Sequence, residues 1–214
     1  MKKVGILFDM DGTLLDTLED LTDAVNHILQ ENGCPTRTIE EIRSFIGNGA
    51  RFLLQSALPD GENAPDVDVL LPAYQTYYAA NAQVKTRPYA GVLEALEEIR
   101  KEFPIAVVSN KPDRATKLLS GEYFGKDIYA LGESSICPRK PAPDMIFQGM
   151  AALGVEDCIY VGDSEVDVYT AKNAGVKCLS VLWGFRDKDY LQQEGAQYFC
   201  DDPKDLLKTL KAML

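Results

Sequence analysis

The sequence predicts an α/β protein: a Rossmann-like parallel sheet flanked by helices, with a block of helices inserted after the first strand. In the second half of the chain, short apolar runs alternate with segments of helical periodicity, as they do in β-α-β units. One apolar run, residues 3–9, stands alone near the start, and residues 16–80 after it show no convincing strand. We therefore expect one α/β domain formed by 1–15 and 82–214, with a helical domain at 16–81 inserted into it.

Composition and charge limit the classes of partner. The chain has 214 residues and a formal net charge of −11, from 22 basic and 33 acidic side chains. So acidic a chain is a poor candidate for binding nucleic-acid backbones or anionic membranes. No apolar stretch approaches the roughly 18 residues of a membrane-spanning helix. We expect a monomer or homodimer that binds neither nucleic acid nor membranes and holds any anion in a local site.

Cysteine usage predicts the compartment. The five cysteines are an odd number without a C-x-x-C pair, which argues against a disulfide framework and a structural zinc site. We therefore expect free thiols in a soluble protein of the reducing cytoplasm. They are Cys34, Cys137, Cys158, Cys178 and Cys200.

Helical patterns fill the inserted segment. Apolar residues recur at helical spacing from Asp16 to Asn32, and Gly33 is expected to end that helix as a C-cap. The run Thr38-Ile39-Glu40-Glu41 fits a capping box that opens a short helix. Two further helices are predicted at 49–58 and 66–80, with a turn at 60–65 between them.

The 66–80 helix carries an aromatic stripe of Tyr74, Tyr77 and Tyr78. A stripe at helical spacing is typical of packing rather than of a ligand site, either in the core of the helical domain or at a subunit interface. His27, the only histidine, lies in the first predicted helix. We expect it to be packed or solvent-facing, and we assign it no role.

The rest of the chain alternates between the two element types. Helices are predicted at 91–102, 112–120, 143–153, 165–174 and 203–213. Strands are predicted at 104–109, 128–131, 157–162, 177–182 and 197–200. The apolar run 3–9 supplies one more strand, so the sheet is expected to be parallel and covered by helices.

Polar side chains stand where the predicted strands end. Asp9-Met10-Asp11-Gly12-Thr13 follows the first strand, Ser109-Asn110-Lys111 ends the next, and Asp163 to Asp167 follows the 157–162 strand. Lys140 precedes Pro141 at the start of a helix. In open α/β sheets, ligands bind beyond the carboxyl ends of the strands. The sequence therefore predicts one site where these groups meet.

Four carboxylates in this set predict a metal ion. Asp9 and Asp11 point the same way in an extended chain, and their charges repel unless a cation lies between them. Asp163 and Asp167 arrive from another strand end. Hard oxygen ligands without Cys or His suit Mg²⁺ rather than Zn²⁺. Taken alone, Asp-x-Asp-Gly is equally well explained as a turn, because Asp and Gly are common turn residues.

The remaining polar groups suit a phosphoryl ligand. Such a group needs hydrogen-bond donors for its oxygens and positive charge where negative charge develops, and Ser109, Asn110 and Lys140 supply both. Gly12 lets backbone N–H groups approach an anion. Each residue taken singly is typical of a loop or a solvated surface, so the prediction depends on their common placement.

These motifs together resemble the haloacid dehalogenase superfamily of phosphohydrolases. They are F-D-M-D-G-T at 8–13, V-V-S-N-K at 107–111, Lys140 in R-K-P-A-P, and V-G-D-S-E-V-D at 161–167. Softer matches resemble the phosphoglycolate phosphatase-like subgroup with its α-helical cap. These are F-I-G-N-G-A-R-F-L-L at 45–54, R-P-Y-A-G-V at 87–92 and W-G-F-R at 183–186.

The resemblance implies a role for each core residue. Asp9 would be the nucleophile that forms an aspartyl-phosphate, and also a Mg²⁺ ligand. Asp11 would be the general acid and then the general base, with its backbone carbonyl on the metal. Asp163 would bind the metal, and Asp167 would complete or orient its shell. The expected phosphate contacts are Ser109 and Lys140, with Asn110, Gly12 and Thr13 as weaker candidates.

The helical cap is expected to choose the substrate. Gly47-Asn48-Gly49 has the flexibility of a loop that faces the site, and Arg51 follows it. One hypothesis is that Arg51 binds a substrate carboxylate or second phosphate; the alternative is a solvated helix face. Lys111 is a candidate for the cleft entrance.

The presence of Asp11 favours a phosphatase over a dehalogenase, because a halide needs no proton to leave. The leading prediction is a Mg²⁺-dependent phosphatase acting on a small monoester such as 2-phosphoglycolate. Two alternatives on the same fold are a sugar-phosphate phosphomutase and an inorganic pyrophosphatase. A third, of another class, is a non-catalytic phosphate-binding regulatory protein.

Overall fold

A six-stranded parallel sheet forms the centre of the protein. The structure, a computed structural model, describes residues 3–61, 64–135 and 137–214. The strand order is β5-β4-β1-β6-β7-β8, and all five neighbouring pairs are parallel. These strands are β1 (Val4–Phe8), β4 (Ile105–Pro112), β5 (Tyr129–Glu133), β6 (Asp157–Gly162), β7 (Lys177–Val181) and β8 (Tyr198–Cys200). The predicted α/β class is confirmed.

Helices cover both faces of the sheet. Side chains of a strand alternate between the two faces, so a strand can contact helices on both sides. Ile6 and Phe8 of β1 pack with helices α5, α6 and α10, whereas Leu7 packs with α7 and α8. The bounds of these helices are α5 (Val92–Arg100), α6 (Asp113–Tyr123), α7 (Asp144–Leu153), α8 (Glu165–Ala174) and α10 (Leu206–Met213). Burial of apolar side chains on both faces makes β1 a central strand.

Four helices follow β1 and share a second hydrophobic cluster, which Phe185 from the loop after β7 also joins. They are α1 (Leu18–Glu31), α2 (Ile39–Phe45), α3 (Gly49–Ala57) and α4 (Val67–Asn81). We call residues 16–81 the cap. The division into two domains at these boundaries stays a prediction, which the separate cluster supports.

The two chain segments that join cap and core pair with each other. β2 (Leu15–Asp16) is antiparallel to β3 (Arg87–Pro88). The expectation of no strand at 16–80 is therefore wrong at Asp16. Two residues are too few to produce an alternating pattern in the sequence, so only the contact with β3 reveals the strand.

Local helix signals agree with the structure. The Thr38 hydroxyl accepts a hydrogen bond from the Glu41 N–H at 3.2 Å, and the Glu41 carboxylate accepts one from the Thr38 N–H at 2.7 Å. The capping box is confirmed. Gly33 follows α1 with a φ of 68°, which favours glycine there. The predicted turn at 60–65 contains Glu62 and Asn63, which lie outside the described residues.

Two differences concern the end of the chain. Helix α9 (Lys188–Gln193) was not predicted, because this six-residue helix has one buried side chain, Leu191, and hence no apolar periodicity. The helix predicted at 203–213 begins instead with a short 3-10 turn at Pro203–Asp205. Within the described ranges, no helix is long and apolar enough to cross a membrane.

Candidate active site

Neighbouring strands bring the predicted site residues together. β1 lies between β4 and β6, and Phe8 is in register with both Val107 and Val161. The polar residues that follow these positions therefore emerge side by side at one edge of the sheet. They border a cavity of about 50 Å³ between this edge and the cap.

A buried trio of carboxylates lies at this edge. Asp9 follows β1, Asp163 follows β6, and Asp167 lies in the first turn of α8. Each has an oxygen within 4.8 Å of the others. Asp163 accepts hydrogen bonds from the Thr13 hydroxyl at 2.9 Å and the Phe185 N–H at 2.8 Å. Thr13, expected at the phosphate, is thus engaged with an acid.

Lys140 is buried among these acids. Its ammonium lies 2.9 Å from Asp9 Oδ1 and 2.8 Å from Asp167 Oδ1, and it donates a hydrogen bond to the Tyr160 hydroxyl at 2.8 Å. The Tyr160 hydroxyl in turn donates to Asp167 at 2.9 Å. Tyr160 was not among the predicted site residues, because it lies in an apolar strand. The available signal was its hydroxyl, which needs a partner when buried.

The electrostatics of the trio are uneven. Burial and the nearby charge of Asp167 together raise the pKa of Asp9 to about 7, against the attraction of Lys140. Burial and the charges of Asp167 and Asp9 hold the pKa of Asp163 well above its ordinary value. Burial also acts on Asp167, but Lys140 and the hydrogen bonds from Ser164 and Tyr160 outweigh it and lower its pKa. The site therefore lacks positive charge.

The donor set fits a hard divalent cation. It consists of carboxylate oxygens only, and the three acids face a single ammonium group. The one ammonium at Asp9 Oδ1 among the described residues is that of Lys140, which Asp167 and the Tyr160 hydroxyl share. A cation such as Mg²⁺ would supply the missing charge.

Asp11 forms a tight pair with Lys111. The Lys111 ammonium donates to both carboxylate oxygens of Asp11, at 2.7 and 2.9 Å, and lies 4.6 Å from the centre of the Tyr78 ring. Its side chain is 2% exposed. Lys111 is thus a buried part of the cavity wall rather than a residue at its entrance.

Gly12 and Asn110 were expected to contact phosphate, and the structure engages both elsewhere. The Gly12 N–H donates to the Leu15 carbonyl at 2.9 Å, and its φ is 81°. A Cβ at this position would lie 2.3 Å from Asp163 Oδ2. Gly12 is therefore required by the turn and by the close approach of Asp163.

The Asn110 side chain joins three segments. It donates to the carbonyls of Gly47 and Lys140, at 3.0 and 2.9 Å, and accepts from the Lys140 N–H at 2.7 Å. With its amide group engaged, the Asn110 side chain positions Lys140 and the cap loop, and a phosphate contact of Asn110 stays a prediction. Ser109 borders the cavity and accepts a hydrogen bond from the Lys111 N–H at 3.3 Å, which leaves its hydroxyl proton available.

The cap residues divide between cavity and surface. Gly49 lines the cavity, and a Cβ there would lie 2.9 Å from Glu133 Oε2. Asn48 contributes a carbonyl that accepts from Arg139 at 3.1 Å. Arg51 forms two 2.8 Å hydrogen bonds with Asp68 on the exposed cap surface. This position agrees with the second of the two hypotheses for Arg51, a solvated helix face, and the substrate contact stays a prediction.

The aromatic stripe packs in the cap, as expected. Tyr74 and Tyr78 are buried in the cap cluster, and both also border the cavity. Tyr77 packs as expected: its ring stacks on His27 with centroids 3.8 Å apart. The sequence pattern could not separate these tyrosines, since burial against the core and burial beside a cavity have the same periodicity.

Two arginines clasp the cap to the core. Arg43 of α2 donates to the carbonyls of Phe185 and Gly184, at 2.9 and 2.7 Å. Arg186 donates in the opposite direction, to the cap carbonyls of Arg43 and Ile46 at 3.0 and 2.8 Å. Because the Phe185 N–H also binds Asp163, the clasp and the carboxylate trio share one loop. We call this pair of residues the arginine clasp.

Comparison with known proteins agrees with this geometry. A family model for haloacid dehalogenase-like hydrolases matches residues 6–181. Phosphoglycolate phosphatase 1 of Pseudomonas aeruginosa is 33% identical over 94% of this chain and 78% of its own length. A phosphoglycolate phosphatase of Cereibacter sphaeroides is 34% identical over 97% of this chain and 99% of its own.

A solved structure is also similar to this protein. A candidate phosphoglycolate phosphatase from Lactobacillus delbrueckii subsp. bulgaricus is 36% identical with a TM-score of 0.89, covering 98% of this chain and 99% of that one. The resemblance inferred from the four motifs is confirmed. The chain therefore belongs to the haloacid dehalogenase-like hydrolases, and it is a phosphoric monoester hydrolase.

Proposed function

We propose that this enzyme hydrolyses 2-phosphoglycolate, or a monoester of similar size, through an aspartyl-phosphate on Asp9 in a Mg²⁺-dependent reaction. The observation that carries the proposal is the buried trio of Asp9, Asp163 and Asp167 with Lys140, at the floor of a cavity bordered by Ser109. The names of the curated relatives support the substrate.

Asp9 is the proposed nucleophile. Its carboxylate attacks phosphorus, the ester oxygen leaves, and the aspartyl-phosphate is later hydrolysed by water. Attack requires the ionised form, although burial raises the pKa of Asp9 to about 7. Lys140, 2.9 Å away, favours that form. Ser109, which borders the cavity, is the proposed hydrogen-bond donor to a non-bridging oxygen.

Asp9, Asp163 and the Asp11 carbonyl are the proposed Mg²⁺ ligands, and the ion would add positive charge opposite the phosphoryl oxygens. Asp167 is proposed to orient rather than to bind. One of its oxygens accepts from Lys140 and Tyr160, and the other accepts from the Ser164 N–H at 3.0 Å and hydroxyl at 2.6 Å.

Asp11 is the proposed proton donor to the leaving oxygen and the base for the incoming water. Lys111 holds both of its oxygens at the cavity wall. The cavity lies between these groups and apolar or aromatic side chains of the cap.

The test is phosphate release from 2-phosphoglycolate, a hexose phosphate and pyrophosphate, with Mg²⁺ or with EDTA. We expect Mg²⁺-dependent turnover of 2-phosphoglycolate that is lost in Asp9→Asn and retained in the control Asp201→Asn, which removes an exposed carboxylate. A phosphoenzyme trapped by acid quench in the wild type and absent from Asp9→Asn would support the intermediate. Preferred release from pyrophosphate, isomerisation of the hexose phosphate, or phosphate binding without turnover would favour the respective alternative.

The cellular location belongs to the same proposal. All five cysteines are free thiols. This state suits the reducing cytoplasm, where we propose that the enzyme works.

A further inference from the structure

Positive charge is scarce in the cavity. Among the described residues that line it, Lys111 is the one cation, since Lys140 lies behind Asp9 rather than in the wall. Lys140 is also shared between two carboxylates and the Tyr160 hydroxyl. A second negative group on a substrate could therefore meet a positive partner only at Lys111.

The described cap residues that line the cavity carry no charge, so none of them competes with Lys111 for a negative group of the substrate. The described cap residues that line it are apolar or aromatic, apart from two glycines: Leu21, Ile46, Ala50, Leu53, Tyr74 and Tyr78. Such a wall excludes water and strengthens any ion pair formed beside it. It would also disfavour a negative group that found no cation.

The contact between Lys111 and Asp11 determines how close Lys111 lies to the alcohol part of a bound substrate. The ammonium lies 2.7 Å from Asp11 Oδ1, and Asp11 is the proposed proton donor to the ester oxygen. Whatever is attached to that oxygen is thus within one or two carbon atoms of Lys111. An ammonium group has three N–H donors, and the two carboxylate oxygens of Asp11 accept hydrogen bonds from two of them. The same ammonium lies 4.6 Å from the centre of the Tyr78 ring.

We propose that Lys111 binds a carboxylate of the substrate and so selects phosphate esters of short hydroxy acids over uncharged esters of the same size. This inference rests on the proposed function and deepens it. The second anion is then recognised by a residue of the core strand β4. One hypothesis from the sequence had assigned this role to Arg51 in the cap.

The experiment compares 2-phosphoglycolate with its isosteric amide, 2-phosphoglycolamide, in wild type, Lys111→Met and the control Lys117→Met. Lys117 is an exposed lysine on α6. We expect wild type to prefer the carboxylate by about 10- to 100-fold in kcat/KM, the range for a hydrogen bond between charged groups. Lys111→Met should lose that preference, and Lys117→Met should keep it.

The comparison separates recognition from positioning. If Lys111 served only to hold Asp11, Lys111→Met would reduce kcat/KM for both substrates by the same factor, and the inference would be overturned. Recovery of the preference in Lys111→Arg, with its charge retained, would support it. Should Lys111→Met fail to fold, the wild-type preference alone decides, because equal rates on acid and amide contradict a carboxylate site.

Failure of the inference can be told from failure of the proposed function. Wild type that hydrolyses both esters equally remains a phosphatase without a carboxylate site. Wild type that hydrolyses neither ester, while folded and supplied with Mg²⁺, overturns the proposed substrate class and this inference with it.

Discussion

Lys140 shows how much one side chain contributes to the site. Its ammonium is buried against Asp9, Asp167 and the Tyr160 hydroxyl, and the main chain beside it is held by Asn110. A buried charge of this kind is stable only while its partners remain. The same contacts keep Asp167 ionised and therefore keep Ser164 in place.

The first prediction concerns Lys140→Met. Removing the ammonium leaves two buried carboxylates without their counter-charge, so the free energy of unfolding should fall by about 3–5 kcal/mol. Urea denaturation measures this. Lys204→Met, which breaks the exposed pair with Asp202, is the matched control and should leave the midpoint unchanged. Equal stability of Lys140→Met and wild type would contradict the role of the buried pair.

The second prediction compares two glycines with positive φ. Gly12→Ala and Gly33→Ala both place a side chain in the left-handed region, at a cost of about 1–2 kcal/mol each. Only Gly12→Ala also brings a Cβ to 2.3 Å from Asp163 Oδ2; a Cβ at Gly33 has no neighbour within 4 Å.

Phosphatase assays and thermal melts together separate these effects. We expect a lower Tm in both variants and a loss of kcat only in Gly12→Ala. A fully active Gly12→Ala would mean that Asp163 can move without consequence.

At the scale of elements, the site depends on how the cap meets the core. In the arginine clasp, Arg43 of α2 donates to the carbonyls of Gly184 and Phe185, and Arg186 donates to the cap carbonyls of Arg43 and Ile46. In the same loop, the Phe185 N–H donates a hydrogen bond to Asp163. Closure of the cap and the position of one carboxylate are therefore linked through a single loop.

The third prediction follows from the arginine clasp. In Arg186→Met the cap loses its contacts at Arg43 and Ile46, so the closed arrangement should be less populated and kcat/KM should fall about tenfold. Steady-state kinetics measure the change, mainly in KM. Arg100→Met is the control because its guanidinium contacts Phe124 and Asp127 within the core. Unchanged kinetics in Arg186→Met would show that these contacts do not govern closure.

At the scale of the whole molecule, stability and pH are linked through Asp9. Its pKa is raised from 3.8 to about 7 in the folded protein. Between these values the folded state binds more protons than the unfolded chain, so the Asp9 contribution to stability falls as pH rises from about 4 to 7. A bound divalent cation would offset this loss, because it favours the ionised carboxylate.

The fourth prediction concerns how the effects of Asp9→Asn and of Mg²⁺ on Tm differ between pH 5 and pH 8. In EDTA, Asp9→Asn should stabilise the protein relative to wild type more at pH 8 than at pH 5, by several degrees, at about 2–4 °C per kcal/mol. Mg²⁺ should raise the Tm of wild type more at pH 8 than at pH 5. A Tm difference independent of pH would contradict a raised pKa at Asp9.

Patterns local in the sequence determined the fold class, the strand ends and most helices. Apolar alternation and periodicity report burial directly, and Asp9, Ser109 and Asp163 were found because each directly follows or ends a readable strand. The Thr38 capping box was predictable for the same reason, since its partners are three residues apart. Element α9 was missed because one buried residue makes no pattern.

Contacts between distant residues were decided only by the tertiary structure. Arg51 meets Asp68, Lys111 meets Asp11, and Asn110 joins Gly47 to Lys140, none of which has a sequence signature. A charged side chain binds the partner that lies nearest in space, and that distance is set by how the cap folds back over the sheet. The sequence therefore determined which chemical groups reach the site, whereas packing decided which of them remain free to act.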